Sequence, residues 1–157
     1  MMTIKSAREL MVQNLITLSP EMEVLEAFDV LLRHRISGAP VVNRGNRFLG
    51  MFSEKSCMKY VVDSAYEGLP SVPLMSLVDR DPVVIDCNTD LLTITQTFLN
   101  AACRRLPVLD ESGKLLGQIS RRDVMGVFRD YMKTADRKPV EGGLYLSAVN
   151  DGGRRPF

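Results

Sequence analysis

RISGAPVV, residues Arg35 to Val42, returns as ACRRLPVL, residues Ala102 to Leu109. Each stretch sets a proline among small or apolar residues and then runs into an apolar pair. At this spacing of sixty-seven positions the surrounding chain registers on itself without gaps. Val24 falls on Leu91, Pro40 on Pro107, Val41 on Val108, Gly50 on Gly117 and Ser53 on Ser120. Internal repetition is the strongest organising signal a single sequence can carry. Upstream, Leu10-Met11 matches Leu74-Met75 best, which drops the offset to sixty-four and predicts three extra residues in the second copy, within SLVDRD.

The two copies predict the same order of elements. A short strand, Leu15–Leu18 or Val83–Ile85, precedes a helix with apolar residues at 24, 27, 28, 31 and 32, or at 91, 94, 98, 99 and 102. That spacing marks one helical face, and Asp90 is placed to cap the second of these helices. Two strands joined by a polar turn follow: Ala39–Val42, NRGN and Phe48–Phe52, then Pro107–Leu109, DESGK and Leu115–Ile119. A second helix starts at Ser53 or Ser120. The copies are separated by YEGLPSVP, whose glycine and prolines break a helix, and the stretch from Lys133, with two Gly-Gly pairs, reads as a tail. The expected organisation is repeat 1 at 5–62, a linker at 63–71, repeat 2 at 72–130 and a C-terminal tail at 131–157. A β-α-β-β-α half buries one face only, so the expected fold is an α/β pair of tandem repeats sealed around a pseudo-two-fold axis.

Composition narrows the function. A hydrophobic share of 45% with 25% charged residues is that of an ordinary globular protein. A net charge of +1 offers no global field for nucleic acid or an anionic membrane. No apolar run reaches the length of a membrane span, and MMTIKSAREL lacks the apolar core of a secretory signal. Three scattered cysteines (Cys57, Cys87, Cys103) match neither a disulfide framework nor a zinc site, so a reducing cytoplasm is expected. With one histidine, His34, and no G-x-S-x-G, H-E-x-x-H, C-x-x-C or phosphate-loop motif, no enzymatic activity and no metal are expected.

RISGAPVVNRGNRFLGMFSEKSCM and CRRLPVLDESGKLLGQISRRDVM, with LITLSPEMEVLEAF ahead of the first, resemble the cystathionine-β-synthase (CBS) domain pair, or Bateman module. The resemblance spans most of the chain. It implies two clefts between the halves, which in the family often hold adenosyl ligands.

SRRD, Ser120 to Asp123, reads first as a capping box: a serine at the N-cap and an acid three residues on. A carboxylate at a helix start is also placed to accept both hydroxyls of a ribose, the role the family resemblance assigns to Asp123. Ser120 and the helix N-terminus would add donors for phosphate oxygens. The first copy has SEKS instead, with Ser56 where the acid should stand. A serine cannot chelate a diol, so one competent cleft is expected rather than two. The Arg104-Arg105 and Arg121-Arg122 doublets are expected at one cleft mouth, where they call for an anion; Arg105 matches the family position that reaches phosphate. By resemblance, Ile36, Ser37 and Gly38, with Ile16, Thr17, Ser19 and Val24, hold the purine.

The function expected is regulatory sensing of an adenine nucleotide (AMP, ADP or ATP) as ligand, with no required cofactor, acting in trans on an unknown protein target. The resemblance also implies a homodimer formed through helices. A constitutive dimerisation module without ligand, and an S-adenosylmethionine binder, are the alternatives.

Overall fold

The computed structural model describes residues 5–68 and 72–136. In order, the elements are α1 (Ala7–Leu10), α2 (Val24–His34), β1 (Gly38–Val42), β2 (Phe48–Ser53) and α3 (Glu54–Glu67). A 3-10 turn at Leu74–Leu77 opens the second half, followed by β3 (Ile85–Asp86), α4 (Leu91–Asn100), β4 (Arg105–Leu109), β5 (Leu115–Ser120) and α5 (Arg121–Asp136). α5 therefore reaches Asp136, and the rest of the stretch read as a tail lies outside the described residues.

Both hairpins are antiparallel and share one irregularity. The register slips between Val41 and Val42 in the first and between Val108 and Leu109 in the second. The expected leading strands are much shorter than the sequence suggests. Leu15–Leu18 reduces to a single parallel bridge between Leu18 and Val41, and Val83–Ile85 to the two residues of β3 beside Val108 and Leu109. Among the described residues each pairs through its backbone with a single strand, and Pro20 and Pro82 flank them with no amide to donate.

The helices bury most of the stripe their periodicity announces; Phe28 is half-buried and Val30 joins the buried face. Val24, Ala27, Val30 and Leu31 on α2 and Leu91, Ile94 and Phe98 on α4 face the core. Leu32 and Leu99, expected inside, are 74% and 75% exposed, and Ala102 is exposed as well. Each leucine follows a buried residue and is turned about 100° from it, off the edge of the stripe. Asp90 caps α4 as expected, accepting the Thr93 amide at 2.8 Å.

The offset of sixty-four does not survive. Bridges between the halves come in pairs related by sixty-seven throughout: Ser6–Asp90 with Glu23–Pro73, and Val12–Gln118 with Met51–Asp79. Arg47–Lys114 pairs the two hairpin tips with each other and lies across the pseudo-dyad. Around it the Phe48 amide donates to Gly113 O (3.0 Å) and the Leu115 amide to Asn46 O (3.1 Å), one bond being the image of the other. No extra residues are inserted. The apparent match of Leu10-Met11 to Leu74-Met75 is a likeness of side chains, whereas backbone pairing sets α1 against the turn at Leu74–Leu77.

These bridges carry the leading segment of each half into the other half. Ala7 and Leu10 pack with Leu91, Ile94, Phe98, Leu106, Val108 and Ile119, the core of the second half. Leu74 and Val78 pack with Leu18, Leu31, Val41 and Phe52, the core of the first. The repeated glycine of each second hairpin strand is explained by this crossing. A Cβ on Gly50 would lie 2.3 Å from Asp79 O, and one on Gly117 would lie 2.8 Å from Val12 O.

Candidate ligand-binding site

Where the first half's leading segment crosses the second half's hairpin, a cleft of about 270 Å³ opens. Its apolar wall comes from the first half: Leu15 and Ile16 on the leader, Ile36 beyond α2, and Pro40 on β1. Its polar groups come mostly from the second half. Strand β5 alternates its side chains between two faces, so Gln118 and Ser120 share the face that lines the cleft. Asp123 stands on the first turn of α5, Arg105 opens β4, and Asn14 joins them from the leader.

Ser120 and Asp123 form the reciprocal capping pair. The Ser120 amide donates to Asp123 Oδ2 at 2.8 Å, and the Asp123 amide donates to Ser120 Oγ at 3.2 Å. Asp123 Oδ1 has no hydrogen-bond partner among the described residues. The carboxylate is thus held by one oxygen while the other stays available. In the first half Ser53 makes no side-chain cap bond to α3, and Ser56 stands where the acid would be.

Arg105 Nη1 donates to Gly38 O at 2.6 Å, a bond between residues that are themselves equivalent, 67 positions apart. Among the described residues no carboxylate lies within ion-pair distance of it, the only such pair being Arg129–Asp130. Burial lowers the Arg105 pKa and the neighbouring Arg104 adds to this, while Glu54 and Asp123 oppose it at longer range. A half-buried guanidinium without a close anion is the most polarising group in the cleft.

Of the residues expected here, the structure brings together Ile16, Ile36, Gly38, Arg105, Ser120 and Asp123. The others are not among the residues that line it. Val24 is buried at the start of α2, Thr17 is exposed, and the Ser19 hydroxyl donates to Glu21. Ser37 accepts the Glu54 amide on its carbonyl, at the start of α3. Of the four arginines, Arg105 alone lines the cleft. Arg104 and Arg122 are exposed, and Arg121 sits 6.0 Å over the Phe98 ring, where the aromatic face attracts its charge. Val12, Asn14, Leu15, Pro40 and Gln118 also line the cleft, outside the set expected from sequence. Gln118 is within reach of the alternation along β5; Val12 and Asn14 depend on the leader crossing.

No cysteine is among the described residues that line the cleft. Burial pushes the Cys57 thiol up to about 11, with Glu54 adding to the effect, and burial also raises Cys103. No helix among the described residues is long and apolar enough to cross a membrane.

Residues 7–63 and 74–130 each match the family model of the CBS domain, two segments sixty-seven apart at both ends. The chain belongs to the CBS domain family. As a CBS pair it is 30% identical over 116 residues to the uncharacterized protein MJ1225 of Methanocaldococcus jannaschii, covering 74% of this chain but only 40% of that one. The chain thus spans well under half of that curated relative. Among solved structures, CBSX2 in complex with AMP superposes with a TM-score of 0.73 at 23% identity, covering 82% of this chain and 98% of CBSX2. The CBS pair of MJ0100, with 5′-methylthioadenosine and S-adenosyl-L-methionine, gives 0.68 at 15% identity, covering 82% and 99%. These likenesses establish the fold of a CBS domain pair.

Proposed function

We propose that this CBS pair is a regulatory sensor that binds one adenine nucleotide, AMP, ADP or ATP, in the cleft between its halves. The observation that carries the reading is that Asp123 and Arg105 line the same cleft. A carboxylate oxygen free to accept a ribose hydroxyl and a desolvated guanidinium suited to a phosphate line one cleft. The presence of AMP in CBSX2 supports the same ligand class. S-adenosylmethionine would leave Arg105 without a phosphate to meet. The absence of a carboxylate at Ser56 supports one nucleotide per chain rather than two. The cleft supplies groups for recognition (a carboxylate, a guanidinium, two amides and a hydroxyl) and we assign it no catalysis. The three free cysteines support a reducing, cytoplasmic setting.

The test is thermal unfolding of the full chain with AMP, ADP, ATP and adenosine, since a ligand that binds only the native state raises Tm. A shift with the adenine nucleotides is expected; no shift with any of them would remove the sensor reading and leave a ligand-free interaction module. Arg105→Ala should lower AMP affinity about tenfold or more while leaving adenosine unchanged, because a charge-assisted contact to phosphate is worth roughly 1.5–3 kcal/mol. Calorimetry showing equal losses for AMP and adenosine would place Arg105 on something other than phosphate.

We further propose that the module is a homodimer and passes its signal in trans to a protein that contacts its helices. Met58, Val61, Val62 and Tyr66 on α3 and Met125, Phe128 and Met132 on α5 are all exposed, an apolar face on each of two equivalent helices. Light scattering should give twice the chain mass; a monomer at high concentration would overturn the dimer.

A further inference from the structure

We infer that Gln118 is a base-reading residue of the cleft, selecting a purine that carries an amino group at position 6 over one that carries a 6-oxo group. The inference rests on the nucleotide reading above and extends it from the sugar and phosphate to the base.

Gln118 lines the cleft, and its side-chain oxygen Oε1 is buried without a hydrogen-bond partner. A buried acceptor left unpaired is costly and needs a reason. The fold does not supply one. Gln118 is held to the leader through its backbone alone: the Val12 amide donates to Gln118 O at 2.9 Å and the Gln118 amide to Val12 O at 3.0 Å. Its counterpart in the first half, Met51, makes the same two backbone bonds with Asp79, both at 2.9 Å. A methionine therefore satisfies this strand position, and the amide of Gln118 is surplus to the architecture.

The orphan oxygen calls for a donor on the ligand. Gln118 and Ser120 are alternate residues on one face of β5, a step of roughly 7 Å. With the ribose on Asp123 beside Ser120, that step is comparable to the distance from a ribose to the outer edge of its base. An adenine edge presents the 6-amino donor next to the N7 acceptor, which a glutamine amide matches with both of its groups. Hypoxanthine and guanine present O6 and N7, two acceptors, at the same edge. Against these, the amide can donate but its oxygen stays buried and unpaired. Sites built to hydrogen-bond a ligand group discriminate strongly against the analogue that lacks it.

The experiment is calorimetric titration of AMP and IMP into the full chain and into Gln118→Met, a change of similar volume that copies the residue of the first half, Met51. The wild type should prefer AMP by about tenfold or more. In Gln118→Met the two affinities should converge to within about twofold, with unliganded Tm no lower than wild type, since a buried orphan is removed. A wild type that binds AMP and IMP equally, or a Gln118→Met protein that keeps the wild-type ratio, would overturn the assignment and leave the nucleotide reading intact. Binding of neither by the wild type would remove both. Equal affinities of the wild type for AMP and IMP overturn the assignment even if the variant folds poorly.

Discussion

Gly50→Ala is expected to cost the fold about 3 kcal/mol or more, enough to unfold a sizeable share of a marginally stable protein. Two effects add at this position. The added Cβ would sit 2.3 Å from Asp79 O and 2.6 Å from Val78 Cγ1, and the first of these is backbone that cannot rotate away. The glycine also holds φ at +151°, a conformation that L side chains rarely adopt. Overpacking and backbone strain each cost roughly 1–3 kcal/mol. Urea unfolding measures the sum from the shift in midpoint at constant slope. Gly126→Ala is the control. It lies within α5 with nothing within 4 Å of its Cβ, so it should be neutral or mildly stabilising. If the two variants unfold alike, the crossing segment is not seated on Gly50 as described.

Asp123→Asn should weaken AMP and adenosine alike by about ten- to a hundredfold, the equivalent of roughly 1.5–3 kcal/mol for hydrogen bonds to a charged acceptor. Asparagine keeps an oxygen for the Ser120 amide, now 2.8 Å from Asp123 Oδ2, so the start of α5 remains capped. Asp123→Ala would lose that cap as well, at about 1 kcal/mol of stability, and would confuse binding with folding. Calorimetry on Asp123→Asn therefore isolates the ribose contact. Wild-type affinity in this variant would remove Asp123 from the site. The uniform loss also separates this residue from Arg105, whose effect is confined to phosphorylated ligands.

The sequence announces those parts of the molecule that are written in local chemistry. Asp90 caps α4, and Ser120 and Asp123 bond reciprocally, because a cap needs only the right side chain a fixed number of residues away. The hairpins follow from apolar runs around glycine-bearing turns. What escapes is carried by single backbone pairings. Val12 with Gln118 and Met51 with Asp79 leave no side-chain pattern, so side-chain resemblance aligns the leading segments at the wrong offset. The cleft inherits this error. Asn14 and Val12 enter it only because the leader crosses over. Of the arginines, Arg105 lines the cleft and Arg121 lies over the Phe98 ring, a contact that a charge pattern in the sequence does not announce.

The exchange of leading segments also bears on how such a chain could have arisen. One repeat by itself would lack the residues that close its core, as the first half lacks Leu74 and Val78 and the second lacks Ala7 and Leu10. Two separate copies would supply each other with these residues through the same set of bridges, as a symmetric swapped dimer. Fusing them end to end changes no contact; it turns an encounter between molecules into one within a molecule, at the high effective concentration a short connection provides. Once joined, the copies no longer have to be identical. One could then keep a glycine at position 38 while the other placed an arginine at 105, and the acid could be retained at 123 while a serine stood at 56. Covalent fusion is thus what permits a two-fold architecture to hold an asymmetric site.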